Sequence, residues 1–284
     1  MNLFQEYSNQ LKQIEVEEVL DLIFYRPLAF IFVKMIMDTS LTPNRITIMA
    51  VAAGFIGGLL FIVNSKASLI FAGIFLIVYN ILDCADGQLA RVQRTGTPLG
   101  RIIDGFADYA VATFVYICIG LGFANHSGFP VTYWTLIIIA ALSNAVHSMI
   151  LDFYRSRYLD YVLDRERVIG EDLKTYVVEY KKLRNRKDKL FERLVLWTYI
   201  KYSNIQLKIT GGAANAQYKV YDREFYKRKN KWIVHLWTYV GPTTELSFLI
   251  LCAFIGRLDL YLWGIVVVAN IFVILLYLLQ SQSN

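Results

Sequence analysis

The chain has 284 residues, of which 56% are hydrophobic, with a mean hydropathy of +0.42 and a net charge of +6. A water-soluble domain of this size rarely reaches that balance, so an ordinary globular protein is excluded. The basic excess does not indicate nucleic acid, because it borders long apolar runs, where anionic lipid headgroups are the simpler partner.

The first twenty residues, MNLFQEYSNQLKQIEVEEVL, are polar and acidic and lack the apolar centre of a cleavable signal peptide. Residues 15–38, EVEEVLDLIFYRPLAFIFVKMIMD, mix apolar and charged positions around Pro27. That pattern predicts an interfacial amphipathic helix or a bent helical pair on the membrane surface. In SLTPNRIT at 40–47, Pro43 and Asn44 mark a turn, and Ser40, Thr42 or Asn44 can cap the helix that follows.

Six apolar runs then reach the length of about 20 residues that a helix needs to cross a hydrocarbon core. They lie at 46–64, 68–90, 102–124, 131–151, 234–256 and 260–280. The predicted fold is an all-α membrane protein: six transmembrane helices, an N-terminal interfacial helix and a cytoplasmic helical insertion. Its parts are an interfacial segment at 1–45, spans one to four at 46–151, the insertion at 152–231, and spans five and six at 232–284. In the insertion, VVEYKKLRNRKDKLFERLVLWTYIKY reads as a charged amphipathic helix and TGGAANAQ at 210–217 as a loop.

With an even number of spans, both termini, the 91–101 loop and the insertion share one side. That side holds every lysine and arginine except Lys66 and Arg257, so the positive-inside rule assigns it to the cytoplasm. The short segments agree with the long one, through Arg26, Lys34, Arg45, Arg91, Arg94 and Arg101. Cys84, Cys118 and Cys252 all fall in apolar spans, at spacings that fit neither a disulfide framework nor a zinc site.

The stretch DCADGQLARVQRTGTPLGRIIDGFAD, residues 83–108, places four aspartates against this apolar background. On a helix, Asp83, Asp86, Gly87, Ala90 and Arg91 fall on one face, as do Gly100, Asp104 and Asp108 on the next. Gly96 and Pro98 can turn the chain between the two helices. Two acids from each helix then meet, and four carboxylates near a low dielectric need compensation. All-oxygen ligands favour magnesium, manganese or calcium over zinc, and paired divalent ions are a recurring device of phosphoryl transfer. An ion pathway or a hydrogen bond between packed helices is the competing account of membrane-embedded acids.

The pattern Asp83-x2-Asp86-Gly87-x2-Ala90-Arg91-x8-Gly100-x3-Asp104-x3-Asp108 resembles the full signature of the CDP-alcohol phosphotransferases (CDP-alcohol phosphatidyltransferases). The resemblance implies an integral-membrane, homodimeric enzyme of phospholipid synthesis. It would move a phosphoalcohol group from a CDP-alcohol to a second hydroxyl and release CMP. Asp83, Asp86, Asp104 and Asp108 would be metal ligands for two Mg2+ or Mn2+ ions, with Asp108 also the general base. Gly87, Ala90, Arg91 and Gly100 would hold the cytidine nucleotide, together with Asn44 and Thr47. The donor is expected to be a CDP-linked lipid, CDP-diacylglycerol, with a polar alcohol as acceptor. A soluble CDP-alcohol donor with a lipid alcohol acceptor, and a non-catalytic or transport protein, are the alternatives. Acceptor contacts are expected from Asn144, His147, Arg155 and Glu245, with interhelical hydrogen bonding the competing role for Asn144, His147 and Glu245. Arg155 and Arg157 suit an acceptor that carries its own phosphate. Gly54, Gly57 and Gly58 can support close helix contacts, including those of a dimer.

Overall fold

The computed structural model describes residues 16–95, 98–162, 171–183, 189–209 and 223–283. The expected turn residue Gly96 and the TGGAANAQ stretch lie outside these residues, as do the first fifteen residues. Among the described residues there is no strand. Among the described residues, six helical segments are long and apolar enough to cross a membrane: Pro43–Val63, Lys66–Gln93, Ile102–His126, Pro130–Leu159, Glu224–Ile255 and Leu258–Ser281. They correspond to the six runs read from hydropathy, and the protein is a multi-pass integral membrane protein.

We number the α-helices in chain order: α1 Arg26–Ile36, α2 Pro43–Val63, α3 Lys66–Gln93, α4 Pro98–Gly122, α5 Pro130–Val162, α6 Glu171–Leu183, α7 Leu190–Ile209, α8 Arg223–Trp237, α9 Pro242–Ile255, α10 Leu258–Trp263 and α11 Asn270–Ser283. The α2–α3 hairpin is locally encoded. Asn64 ends α2 in the left-handed region (φ 49°), and Ser65 starts α3 through a capping box with Ser68, with bonds of 3.2 and 2.9 Å. At the head of α2 the cap position falls to Thr42, whose side chain makes no capping bond; Pro43 at the first helical position sets the start instead. Arg94, also left-handed (φ 54°), closes α3 about two turns beyond the aspartates.

Helices α2, α3 and α4 form the centre of the bundle. A Cβ on Gly54 would sit 2.5 Å from Val111 Cγ1, and one on Gly58 would sit 2.8 Å from Phe114 Cδ1. These glycines therefore serve close packing of α2 on α4 within one chain, and they are buried there rather than presented to a second copy. Helix α5 has 33 residues, about 50 Å at 1.5 Å per residue, and so exceeds a hydrocarbon core of about 30 Å. It runs unbroken through residue 151, where the apolar run ends.

The N-terminal segment, a wide helical turn at Asp21–Tyr25 followed by α1, packs against α3 with its acids inward. Glu17, Glu18 and Asp21 are buried, whereas Ile23, Ile31 and Met35 are exposed. Glu17 pairs with Arg26 at 2.6 Å and with Arg155 at 2.9 Å. Glu18 accepts from Thr243 N at 3.3 Å, Thr244 N at 2.8 Å and Thr244 Oγ1 at 2.8 Å, and so caps α9. Burial, reinforced by the nearby Asp21, pushes the Glu18 carboxyl up to about 8 despite these donors.

Candidate functional site

The C-terminal half of α3 carries Tyr79, Asp83, Asp86 and Gly87, and α4 carries Asp104 and Asp108. Asp83, Asp86 and Asp104 can each offer an oxygen such that all three lie within 4.8 Å of one another. Asp86 is buried and the other two are half-buried. Asp108 stands beside this trio. Its Oδ1 accepts a 2.7 Å hydrogen bond from Tyr79 Oη, and its carboxyl meets that of Asp83. The structure thus brings all four sequence-selected aspartates together and separates them into a cluster of three and a neighbour.

Among the described residues no ion pair neutralises these acids. Three carboxylate oxygens this close repel strongly unless protons or a cation intervene. A hard, all-oxygen trio at this spacing fits a divalent cation such as Mg2+ or Mn2+.

The nucleotide candidates lie around the trio. A Cβ on Gly87 would meet only Arg91 Nη1, at 3.5 Å, so that helix face is open for close approach and a guanidinium borders it. Ala90 is half-buried one turn on, and Gly100 lies in the first turn of α4, one turn before Asp104. Asn44 is exposed in the first turn of α2. Thr47, one turn further, donates a 2.5 Å hydrogen bond to Asp86 Oδ2. The contact seen for Thr47 is therefore with Asp86, a member of the carboxylate trio, which it orients.

Asp83 and Asp108 open onto a cavity of ≈ 1020 Å³. Its apolar wall includes Phe55, Leu76, Val111 and Phe114, and Asn144 and Arg155 of α5 lie on its polar side. The Nδ2 group of Asn144 donates to Glu245 Oε2 at 2.5 Å, while Glu245 Oε1 meets His147 Nδ1 at 2.6 Å. His147 Nε2 contacts Asn270 Oδ1 at 3.1 Å, and Asn270 Nδ2 donates to Ser143 Oγ at 2.8 Å. The four acceptor candidates thus divide. Asn144 and Arg155 line the cavity; Glu245 and His147 form a buried network behind Asn144 that ties α5 to α9 and α11. Arg155 is engaged by Glu17.

Sequence reasoning did not single out Tyr79, Ser143, Asn270, Glu17 or Glu18. A lone asparagine inside GIVVVANIFVILLYLL is a usable signal for Asn270, because an amide in an apolar span needs a partner. Tyr79 offers no such signal, since tyrosines recur throughout this chain.

Residues 40–176 match the family model of the CDP-alcohol phosphatidyltransferases. This segment is a CDP-alcohol phosphatidyltransferase domain. It contains the aspartate site, α2 to α5 and the start of the insertion. The chain is also similar to the bifunctional IPC transferase and DIPP synthase of Thermococcus kodakarensis, with 29% identity over 127 residues. That alignment covers 44% of this chain and 27% of the relative, so the chain spans about a quarter of the relative's length.

Proposed function

We propose that the protein transfers the phosphoalcohol group of a CDP-alcohol to the hydroxyl of a second alcohol and releases CMP. The observation that carries this reading is the trio of aspartate oxygens within 4.8 Å, with Asp108 beside it on the wall of one cavity. The phosphatidyltransferase domain and the similarity to a protein named as a transferase support it.

Asp83, Asp86 and Asp104 would hold divalent cations, with Asp108 completing a second site. Such ions supply charge neutralisation for the diphosphate and the departing phosphate. The open face at Gly87, flanked by Ala90 and Gly100, admits the nucleotide, and Arg91 donates to its phosphates. Asp108 takes the proton of the acceptor hydroxyl while that oxygen bonds the phosphorus bearing the donor's alcohol. The bond from this phosphorus to the bridging oxygen breaks, and CMP leaves with that oxygen. Tyr79 holds Asp108 in position. A single displacement suffices: the one thiol in the signature, Cys84, lies 3.8 Å from Asp21 Oδ1, in the N-terminal segment.

We assign the donor as CDP-diacylglycerol, in keeping with the apolar part of the cavity, and place the site and both termini in the cytoplasm on the distribution of basic residues. A homodimer is part of the same reading. The test is CMP release by the full chain in nanodiscs with Mg2+ or Mn2+, offering CDP-diacylglycerol and soluble CDP-alcohols in parallel. Acceptor-dependent release from CDP-diacylglycerol is expected, and Asp108→Asn should lower it by about 10²–10⁴-fold while metal binding at the Asp83, Asp86 and Asp104 trio persists. Equal turnover in that variant would remove Asp108 as the base.

A further inference from the structure

The buried network that joins α5, α9 and α11 has a direction, because its far end is fixed by the backbone. Asn270 opens α11, directly after the wide helical segment Gly264–Ala269. Its Nδ2 donates to the backbone oxygens of Ile265 at 3.2 Å and Val266 at 3.0 Å. A backbone carbonyl only accepts, so this amide is oriented, and its Oδ1 faces His147 Nε2 as an acceptor. His147 Nε2 must therefore carry a hydrogen. One proton then lies between His147 Nδ1 and Glu245 Oε1. Either an imidazolium faces a carboxylate, or a neutral imidazole accepts from a protonated Oε1. In both cases Glu245 Oε2 is an acceptor, and it receives Asn144 Nδ2.

Asn144 is where this chain of bonds meets the cavity. It is half-buried and lines the wall, whereas His147 and Glu245 are buried and do not. With Nδ2 turned to Glu245, the group left to a ligand is Oδ1, which makes no hydrogen bond among the described residues. Oδ1 needs a partner that donates. The diacylglycerol and diphosphate parts of the donor carry only accepting oxygens, and Gly87 and Arg91, the nucleotide face, do not line this cavity. The second alcohol is the reactant that brings hydroxyl protons here. Its reacting hydroxyl has one proton, which Asp108 takes, so the group that meets Asn144 is a different one.

We infer that Asn144 Oδ1 accepts a hydrogen bond from a second, non-reacting hydroxyl or amino group of the acceptor alcohol, and that Glu245, His147 and Asn270 are positioning residues that hold the amide in this orientation. The inference rests on the proposed reading of the aspartate site. It defines the acceptor as a polyol or amino alcohol, with or without a phosphate, and not as an alcohol with a single donor group. Asn144 thereby joins two roles that the sequence presents as competing: its Nδ2 ties α5 to α9, and its Oδ1 serves the substrate. An amide free to turn over would present a donor as readily as an acceptor; the bond to Glu245 removes that ambiguity.

The experiment uses the full chain in nanodiscs with Mn2+ and saturating CDP-diacylglycerol. Inositol, glycerol, serine, inositol phosphate and glycerol phosphate are offered as acceptors, each beside analogues that lack one hydroxyl or the amine, with ethanol as the single-hydroxyl case. For the acceptor that turns over, removal of one non-reacting donor group should raise KM by about tenfold, the loss of one hydrogen bond. Asn144→Ala should raise KM for the intact acceptor by about the same factor, leave the donor KM unchanged, and reduce the cost of that removal to about twofold or less. Glu245→Gln should stay within about threefold of wild type, because Oε1 of the new side chain accepts from Asn144 while its amide donates to a neutral His147 Nδ1. Glu245→Leu should reproduce Asn144→Ala. Nitrogen NMR of the imidazole rings needs no turnover: His147, one of three histidines in the chain, should show a protonated Nε2. A bare Nε2, equal use of ethanol and the polyols, a removal penalty undiminished in Asn144→Ala, or a change confined to the donor KM would each overturn the inference. So would thermal stabilisation by CDP-diacylglycerol with Mn2+ but no CMP release with any polyol or amino alcohol; if that stabilisation is also absent, the reading of the aspartate site falls as well. Unfolding temperatures identify any variant that fails to fold, and Glu245→Gln with the wild-type imidazole spectrum carries the test if the others do.

Discussion

Thr47 sits between two roles that one substitution can separate. Its hydroxyl has a single proton, which goes to Asp86 Oδ2 at 2.5 Å, while Pro43 O at 3.2 Å is the longer contact within its own helix. Thr47→Val keeps the branched shape and removes the donor. Asp86 is buried, with 4% of its surface exposed, so water cannot readily replace the lost partner. A hydrogen bond to a charged group is worth about 1.5–3 kcal/mol, which corresponds to about 10–150-fold in affinity. Loss of a donor that orients a metal-ligating carboxylate typically costs about 10–100-fold in metal affinity. Titration of the full chain with Mn2+, followed by electron paramagnetic resonance, should show a weakening of this order. The metal concentration needed for half-maximal CMP release should rise in parallel, and Thr47→Ser should restore both. At saturating Mn2+ the donor KM should stay within twofold of wild type. The opposite result, unchanged metal affinity with a raised donor KM, would make Thr47 a nucleotide contact and refute its role on Asp86.

Tyr79→Phe should lower kcat by about 10-fold or more with donor KM little changed, since the lost bond positions the base rather than the substrate; steady-state kinetics in nanodiscs read both parameters. Glu245→Ala leaves Asn144 and His147 without their shared acceptor inside the bundle, and should cost about 3–5 kcal/mol, seen as a large drop in unfolding temperature. The raised carboxyl of Glu18 predicts a pH effect with a definite sign. Its folded value of about 8 exceeds the reference 4.5, so its stabilising contribution is complete below about pH 4.5 and is lost as pH rises through about 8. Proteolysis or hydrogen exchange of the N-terminal segment should therefore increase across that range in wild type, and Glu18→Gln should flatten the profile.

The spans and the aspartate site were legible because both are local. Hydropathy along 20 residues identifies a membrane helix without reference to its neighbours, and the helical period alone puts Asp83 with Asp86 and Asp104 with Asp108. Only the pairing of the two helices is long-range, and a short connection leaves little choice there. The contacts that were not legible join distant positions. Glu245 lies 98 residues from His147, and Thr243 lies 225 from Glu18. Nothing in either local pattern points to the other.

The N-terminal segment adds a different lesson. In water, the charged face of an amphipathic helix turns outward, and Glu17, Glu18 and Asp21 read naturally as that face. Here the three acids point inward, because their partners are the backbone amides and hydroxyls at the head of α9 and the guanidiniums of Arg26 and Arg155. Ile23, Ile31 and Met35 point outward, which lipid tolerates and water does not. The same inversion explains Arg155. Seen in sequence it is a cation near the end of a span, equally suited to a phosphate or to the membrane surface. Folded, it shares with Arg26 the task of compensating buried Glu17, which keeps the N-terminal segment docked beside the cavity. A substitution there should therefore loosen that segment as well as alter turnover, and a defect in acceptor use at Arg155 is evidence of phosphate recognition only if Glu17→Gln does not reproduce it.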